Sequence, residues 1–117
     1  MATTAQAIAS ESDDALMARV AARDADALRL LADRHADIPW RIAYRMLNDA
    51  AEAEDVAQDA LLRLWQYAER WQAGGPGVAA WLTRVSTNAC LDRIRRRRFV
   101  GDDTVPVAPG DVIVLAV

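Results

Sequence analysis

Asp55, Gln58, Asp59, Leu62 and Gln66 recur at i, i+3, i+4, i+7 and i+11, a spacing that gathers them on one side of an α-helix. An apolar centre with a rim of carboxylates and amides is the chemistry of a docking stripe for a basic partner helix. A solvated face with one exposed leucine accounts for the same pattern. A second series, Arg84, Asn88, Leu91, Arg95 and Arg98, runs at i, i+4, i+7, i+11 and i+14. Guanidinium groups meet phosphates through two parallel bonds and asparagine can pair with a base edge, so this line suits nucleic acid. Arginines in the last turn of a helix also oppose its dipole and keep it soluble, and the pattern alone leaves both readings open.

Catalytic chemistry finds little support. The sequence has no glycine-rich phosphate loop after a strand and no nucleophile with a paired base, and no motif brings Ser86 and His35 together. His35 and Cys90 are the single histidine and the single cysteine, which rules out an internal disulfide and a zinc cluster. No metal or cofactor is expected. Cys90 reads as a small core or boundary residue and His35 as a surface or capping residue.

Charge is unevenly distributed. Residues 1–79 hold 8 Arg against 13 acids, residues 80–98 hold 6 Arg against Asp92 alone, and residues 99–117 hold three Asp and no base, a balance of −5, +5 and −3. A polyanionic partner would meet the middle block.

The elements that must position these residues are helices. Helical spacing runs from 13 to 98 and strand-like alternation is absent there, so the expected fold is all-α, a compact bundle of about four to five helices. The 117 residues allow one domain: a flexible stretch over 1–12, a helical domain over 13–98, and a linker or tail over 99–117. Asp13 and Asp14 are candidate caps of a first helix carrying Leu16, Met17 and Val20, and Asp24 of a second. Pro39 kinks a helix or begins a new one. Asn48 supplies a turn and Asp49 a cap for a helix over 51–69, with Ala53, Val56, Ala57, Ala60, Leu61, Leu64 and Tyr67 on its core face. "RWQAGGPGV" places a loop at 71–77, with Trp71 at its mouth as a lid on the core or a ligand contact. The last helix spans about 78 to 97 and buries Val78, Trp81, Leu82, Val85 and Ala89. The tail, "VGDDTVPVAPGDVIVLAV", is expected to contribute little to stability, its apolar end forming a short strand or packing on a groove. There is no run of 18 apolar residues and no secretory leader pattern, so a cytoplasmic protein without a membrane partner is expected.

Two stretches carry a resemblance. "AEDVAQDALLRLW" and "AWLTRVSTNACLDRIRRRR" resemble the two most specific parts of region 2 of the extracytoplasmic-function (ECF) sigma factors of bacterial RNA polymerase, and the likeness extends over 13 to about 98 in the family's order. It implies that Asp55, Gln58 and Asp59, with Leu62 and Gln66 on the same line, dock on the clamp helices of the polymerase β′ subunit. Asp59 stands where the family usually has glutamate. The resemblance also implies that Trp71 and Gln72 in the loop, with Arg84, Asn88, Arg95 and Arg98 on the final helix, bind the opened non-template strand of the promoter minus-ten element, a flipped base entering the loop. An anti-sigma factor is a further expected partner. Family members continue into a second helical domain that reads the minus-thirty-five element, so the chain is read as a fragment of a longer protein, with a natural or variant short form as the alternative. The alternatives are a protein–protein adaptor and a helix-turn-helix repressor of duplex DNA.

Overall fold

The computed structural model describes residues 11–101, with side chains through Arg98. The expected N-terminal stretch before Glu11 and the tail beyond Gly101, including "DVIVLAV", lie outside the described residues. Five α-helices are described: α1 (Asp13–Ala21), α2 (Ala25–His35), α3 (Asp37–Leu47), α4 (Ala50–Tyr67) and α5 (Val78–Gly101), with a 3-10 turn at Ala68–Arg70 after α4. The all-α expectation is met. None of these helices is long and apolar enough to cross a membrane.

Local chemistry sets the boundaries. Ser12 caps α1, accepting from the Ala15 amide at 3.1 Å, where Asp13 and Asp14 were expected. Both aspartates sit in the first turn instead, their carboxylates spent on tertiary partners. Asp13 accepts from Arg34 Nη1 at 3.0 Å and lies 2.7 Å from His35 Nε2, so His35 is a half-buried tie between α1 and α2 rather than a surface cap. Asp24 caps α2 as expected, accepting from the Asp26 and Ala27 amides. Pro39 falls in the first turn of α3, where its missing N–H breaks no helical bond, so a new helix begins there instead of a kink. Asn48 ends α3 in the left-handed region at φ 53°, and Asp49 caps α4 through the Glu52 amide.

The core has two parts. At one end Leu16, Met17 and Val20 of α1 pack with Leu31, Leu64, Val78 and Leu82. At the other, Ala43 and Leu47 of α3 meet Ala53 and Val56 of α4 and Cys90 of α5. Small side chains dominate this second part, and the buried face of α5 differs from the expected one. It centres on Val78, Leu82, Ser86 and Cys90, while Trp81, Val85 and Ala89 are only half-buried. Tyr67, expected on the core face of α4, remains 37% exposed. Helix α5 also runs to Gly101, four residues beyond its expected end.

Long-range polar contacts lock the bundle. Arg23 closes the α1–α2 turn with φ 69°. Its guanidinium donates to the Trp65 carbonyl and to Glu69, both at 2.9 Å, and lies 5.0 Å over the Trp65 ring. Three interactions thus offset a backbone conformation that a non-glycine residue rarely adopts. On α4, Glu52 forms ion pairs with Arg93, at 3.5 Å, and with Arg97.

Candidate functional site

The loop of 71–77 and the ends of the two longest helices enclose an aromatic cleft. Tyr67 from the end of α4 stacks on Trp81 from the start of α5, ring centroids 5.6 Å apart and planes 28° from parallel. Trp71 stands edge-on to both, at 6.5 Å from each. These three rings, Gln72, Gly75, Gly77 and Arg84 line a cavity of about 200 Å³. Flat aromatic surfaces beside an arginine suit an unstacked base, whose faces stack on rings whatever its identity.

The cleft keeps its shape through α1. Trp71 donates its indole N–H to Asp14 Oδ1 at 2.9 Å, and the Gly74 amide donates to Asp14 Oδ2 at 3.0 Å. These two bonds, the Trp71 one foremost, hold the Asp14 carboxyl below its ordinary pKa. Gly74 and Gly77 have φ of 83° and 102°, which is why the turn uses glycine at these positions. Trp71 is half-buried, packed on the core as expected of a lid and lining the cleft at once.

Of the expected nucleic-acid residues, Trp71, Gln72 and Arg84 meet in this cleft. Asn88 and Arg95 are exposed farther along α5, and Arg98 is half-buried. From Arg84 to Arg98 the line advances about 21 Å along the helix axis at the usual rise per residue. Arg95 also donates through Nε to the Leu91 carbonyl at 3.4 Å.

The acidic stripe lies elsewhere. Asp55, Gln58, Asp59 and Leu62 line a groove between α4 and α5, with Leu62 52% exposed. Gln66 is exposed one turn beyond the groove. The opposite wall contains Asp92, Arg93 and Arg96 from α5. On α5, Arg93 and Arg96 sit about 80° or more around the helix from Arg84, Asn88 and Arg95, while Asp92, one turn from Asn88, borders that line, so the two surfaces adjoin on one helix.

Residues 31–100 match the sequence model of the Sigma-70 region 2 family. The chain belongs to this family. The ECF RNA polymerase sigma factor SigL of Mycobacterium tuberculosis is 45% identical over 86 residues, covering 71% of this chain and 49% of SigL. SigW of Bacillus subtilis, also an ECF RNA polymerase sigma factor, is 35% identical over 75 residues, covering 64% of this chain and 40% of SigW. SigE of Mycolicibacterium smegmatis, another, is 34% identical over 76 residues, covering 65% of this chain and 29% of SigE. The chain therefore spans about half or less of the length of these relatives. No solved structure matches it.

Two features of this region 2 domain escaped sequence reasoning. Tyr67 and Trp81 belong to the cleft, though apolar periodicity assigned both to the core. Aromatic residues at the ends of two helices flanking a glycine-rich loop were the available signal. The second is the pairing of Arg93 and Arg97 with Glu52, 41 and 45 residues earlier, which lowers the usable charge of the basic block. No local pattern carries that information.

Proposed function

We propose that this domain docks on core RNA polymerase through the groove at Asp55, Gln58, Asp59 and Leu62, and captures the opened non-template strand of the promoter minus-ten element. A base would enter the aromatic cleft of Tyr67, Trp71 and Trp81, with Gln72 and Arg84 at its edge. Asn88, Arg95 and Arg98 would follow the strand along α5, the arginines on phosphates and Asn88 on a base edge. Residues 13–98 would act as the domain, with 99–117 a linker to a further one. An anti-sigma factor in the same cytoplasmic compartment is a third expected partner, on family resemblance alone.

The observation that carries this reading is the sharing of Arg84. It lines the cleft and also begins the exposed polar line of α5, so a strand whose base fills the cleft has its next phosphates beside that line. A helix-turn-helix reading fits less well, because α5 follows a seven-residue glycine-rich loop rather than a tight turn.

The test is binding of a single-stranded minus-ten oligonucleotide, and of the same sequence as duplex, to core polymerase loaded with this chain across a salt series. Preference for the single strand and a steep loss of affinity with salt are expected. Equal binding of both forms would overturn the reading of the cleft.

A further inference from the structure

The polar hold on the loop comes from one carboxylate 57 residues away in sequence. Beyond the backbone bonds at its two ends, Trp71 N–H to the Ala68 carbonyl and Trp81 N–H to the Gly77 carbonyl, the hydrogen bonds among the described residues that tie the 71–77 loop to the rest of the fold both end on Asp14, one from the Trp71 indole and one from the Gly74 amide. Each oxygen takes one donor, so the carboxylate is matched to the loop at two points three residues apart. The loop needs such a hold. Gly74, Gly75 and Gly77 leave its backbone many alternatives, and fixing them only when a ligand arrives would weaken binding. Nothing lies within 4 Å of where a side chain would begin at Gly74 or Gly77, so packing does not fix these positions.

We infer that Asp14 is a positioning residue for the aromatic cleft: from the first turn of α1 it fixes Trp71 and the glycine-rich loop in the conformation that receives an unstacked base. The inference rests on the reading of the cleft given above. Asp14 touches no ligand itself. It acts through Trp71, whose ring stands edge-on to Tyr67 and Trp81 and forms part of the cavity wall. Asparagine at this position keeps one acceptor for the indole but turns its amide donors toward the Gly74 N–H, so it restores half of the hold. The residue lies outside both the docking groove and the line on α5, which separates its effect from theirs.

The test uses the 117-residue chain loaded on core polymerase, with a single-stranded minus-ten oligonucleotide as probe. Asp14→Ala should weaken oligonucleotide binding about tenfold, as when only about a tenth of the molecules hold the competent loop. Affinity for core polymerase should be unchanged, and Asp14→Asn should fall between parent and alanine. Trp71→Phe keeps a ring but removes the indole donor. In that background Asp14→Ala should cost clearly less than in the parent, which a general effect on folding would not produce. Two-dimensional NMR of the free chain supplies an independent reading, since the Trp71 indole N–H resonance should move in Asp14→Ala while those of Trp40 and Trp65 stay. Equal oligonucleotide affinity of parent and Asp14→Ala, or equal cost of the substitution in both backgrounds, overturns the inference. If the parent itself ignores the oligonucleotide while still binding polymerase, the reading of the cleft has failed and the inference falls with it.

Discussion

Arg63 Nε donates to Asp59 Oδ2 at 2.9 Å one turn along α4, so the acidic stripe brings a cation of its own into the groove. Both side chains are well exposed, and such i,i+4 pairs contribute only about 0.3–0.5 kcal/mol. A basic partner helix can displace Arg63 cheaply, yet it must approach a positive charge to do so. Arg63→Ala is expected to leave thermal stability nearly unchanged and to tighten core polymerase binding severalfold. Replacing Asp55 and Asp59 together by arginine should abolish that binding with helicity intact, because like charges across an interface cost several kcal/mol. Titration of labelled chain against core polymerase, with circular dichroism as the control, measures both. Unchanged affinity in the folded double variant would remove the stripe from the interface.

The arginines of α5 should separate by role. Arg95→Ala with Arg98→Ala is expected to weaken binding to every single-stranded sequence and to flatten the salt dependence, by roughly one unit of slope for each phosphate that is no longer neutralised. Asn88→Ala should leave the slope alone and reduce discrimination between sequences. Arg84→Ala should do some of each, since that residue borders the cleft and begins the line. The measurement is the slope of log affinity against log salt for matched and mismatched oligonucleotides. An unaltered slope in the Arg95 and Arg98 variant would make those arginines a solvated helix end.

Ser86 is fully buried on α5, and its hydroxyl has no hydrogen-bond partner among the described residues. A buried hydroxyl without a partner costs free energy that a methyl group does not. Ser86→Ala is expected to stabilise the domain by about 1 kcal/mol, visible as a rise in Tm of roughly 4–8 °C for a domain of this size. A fall in Tm would mean that the hydroxyl is satisfied in solution.

The Asp14 carboxyl titrates below its ordinary value of 3.8 in the folded chain. A depressed carboxylate stabilises the fold above the unfolded value, and that contribution disappears as pH falls through the folded one. Asp14→Ala should therefore lower Tm near neutral pH and make no difference in strong acid, the two melting curves converging below pH 3.8. Curves that stay parallel down the acid limb would show that the ionised carboxylate has no role.

Sequence reasoning succeeded where one helix decides the outcome. The stripe of α4 and the line of α5 need only the helical period, and the caps at Asp24 and Asp49 need only an acceptor before a helical run. It failed where distant segments compete for one group. Asp13 and Asp14 were the expected caps of α1, but Arg34, His35, Trp71 and Gly74 claim both carboxylates and the cap falls to Ser12. Likewise the balance of +5 over residues 80–98 treats Arg93 and Arg97 as available, though Glu52 holds both. Tyr67 was misplaced, and the second role of Trp81, which packs on the core and also lines the cleft, went unseen, because periodicity ranks hydrophobic residues by angle alone.

The packing of α1 separates the unit that matches the family from the unit that folds. The match begins at residue 31, yet Leu16, Met17 and Val20 are entirely sheltered from solvent against Leu64, Val78 and Leu82. A piece trimmed to the matched span would keep every residue of the α4–α5 groove and the arginine line while opening an oily trough where α1 had packed. Such a piece would self-associate during expression and lose the holder of its own loop. Domain boundaries for crystallisation or for chimaeras with other sigma factors should therefore be set upstream of Ser12, even though the family signature itself starts nineteen residues later.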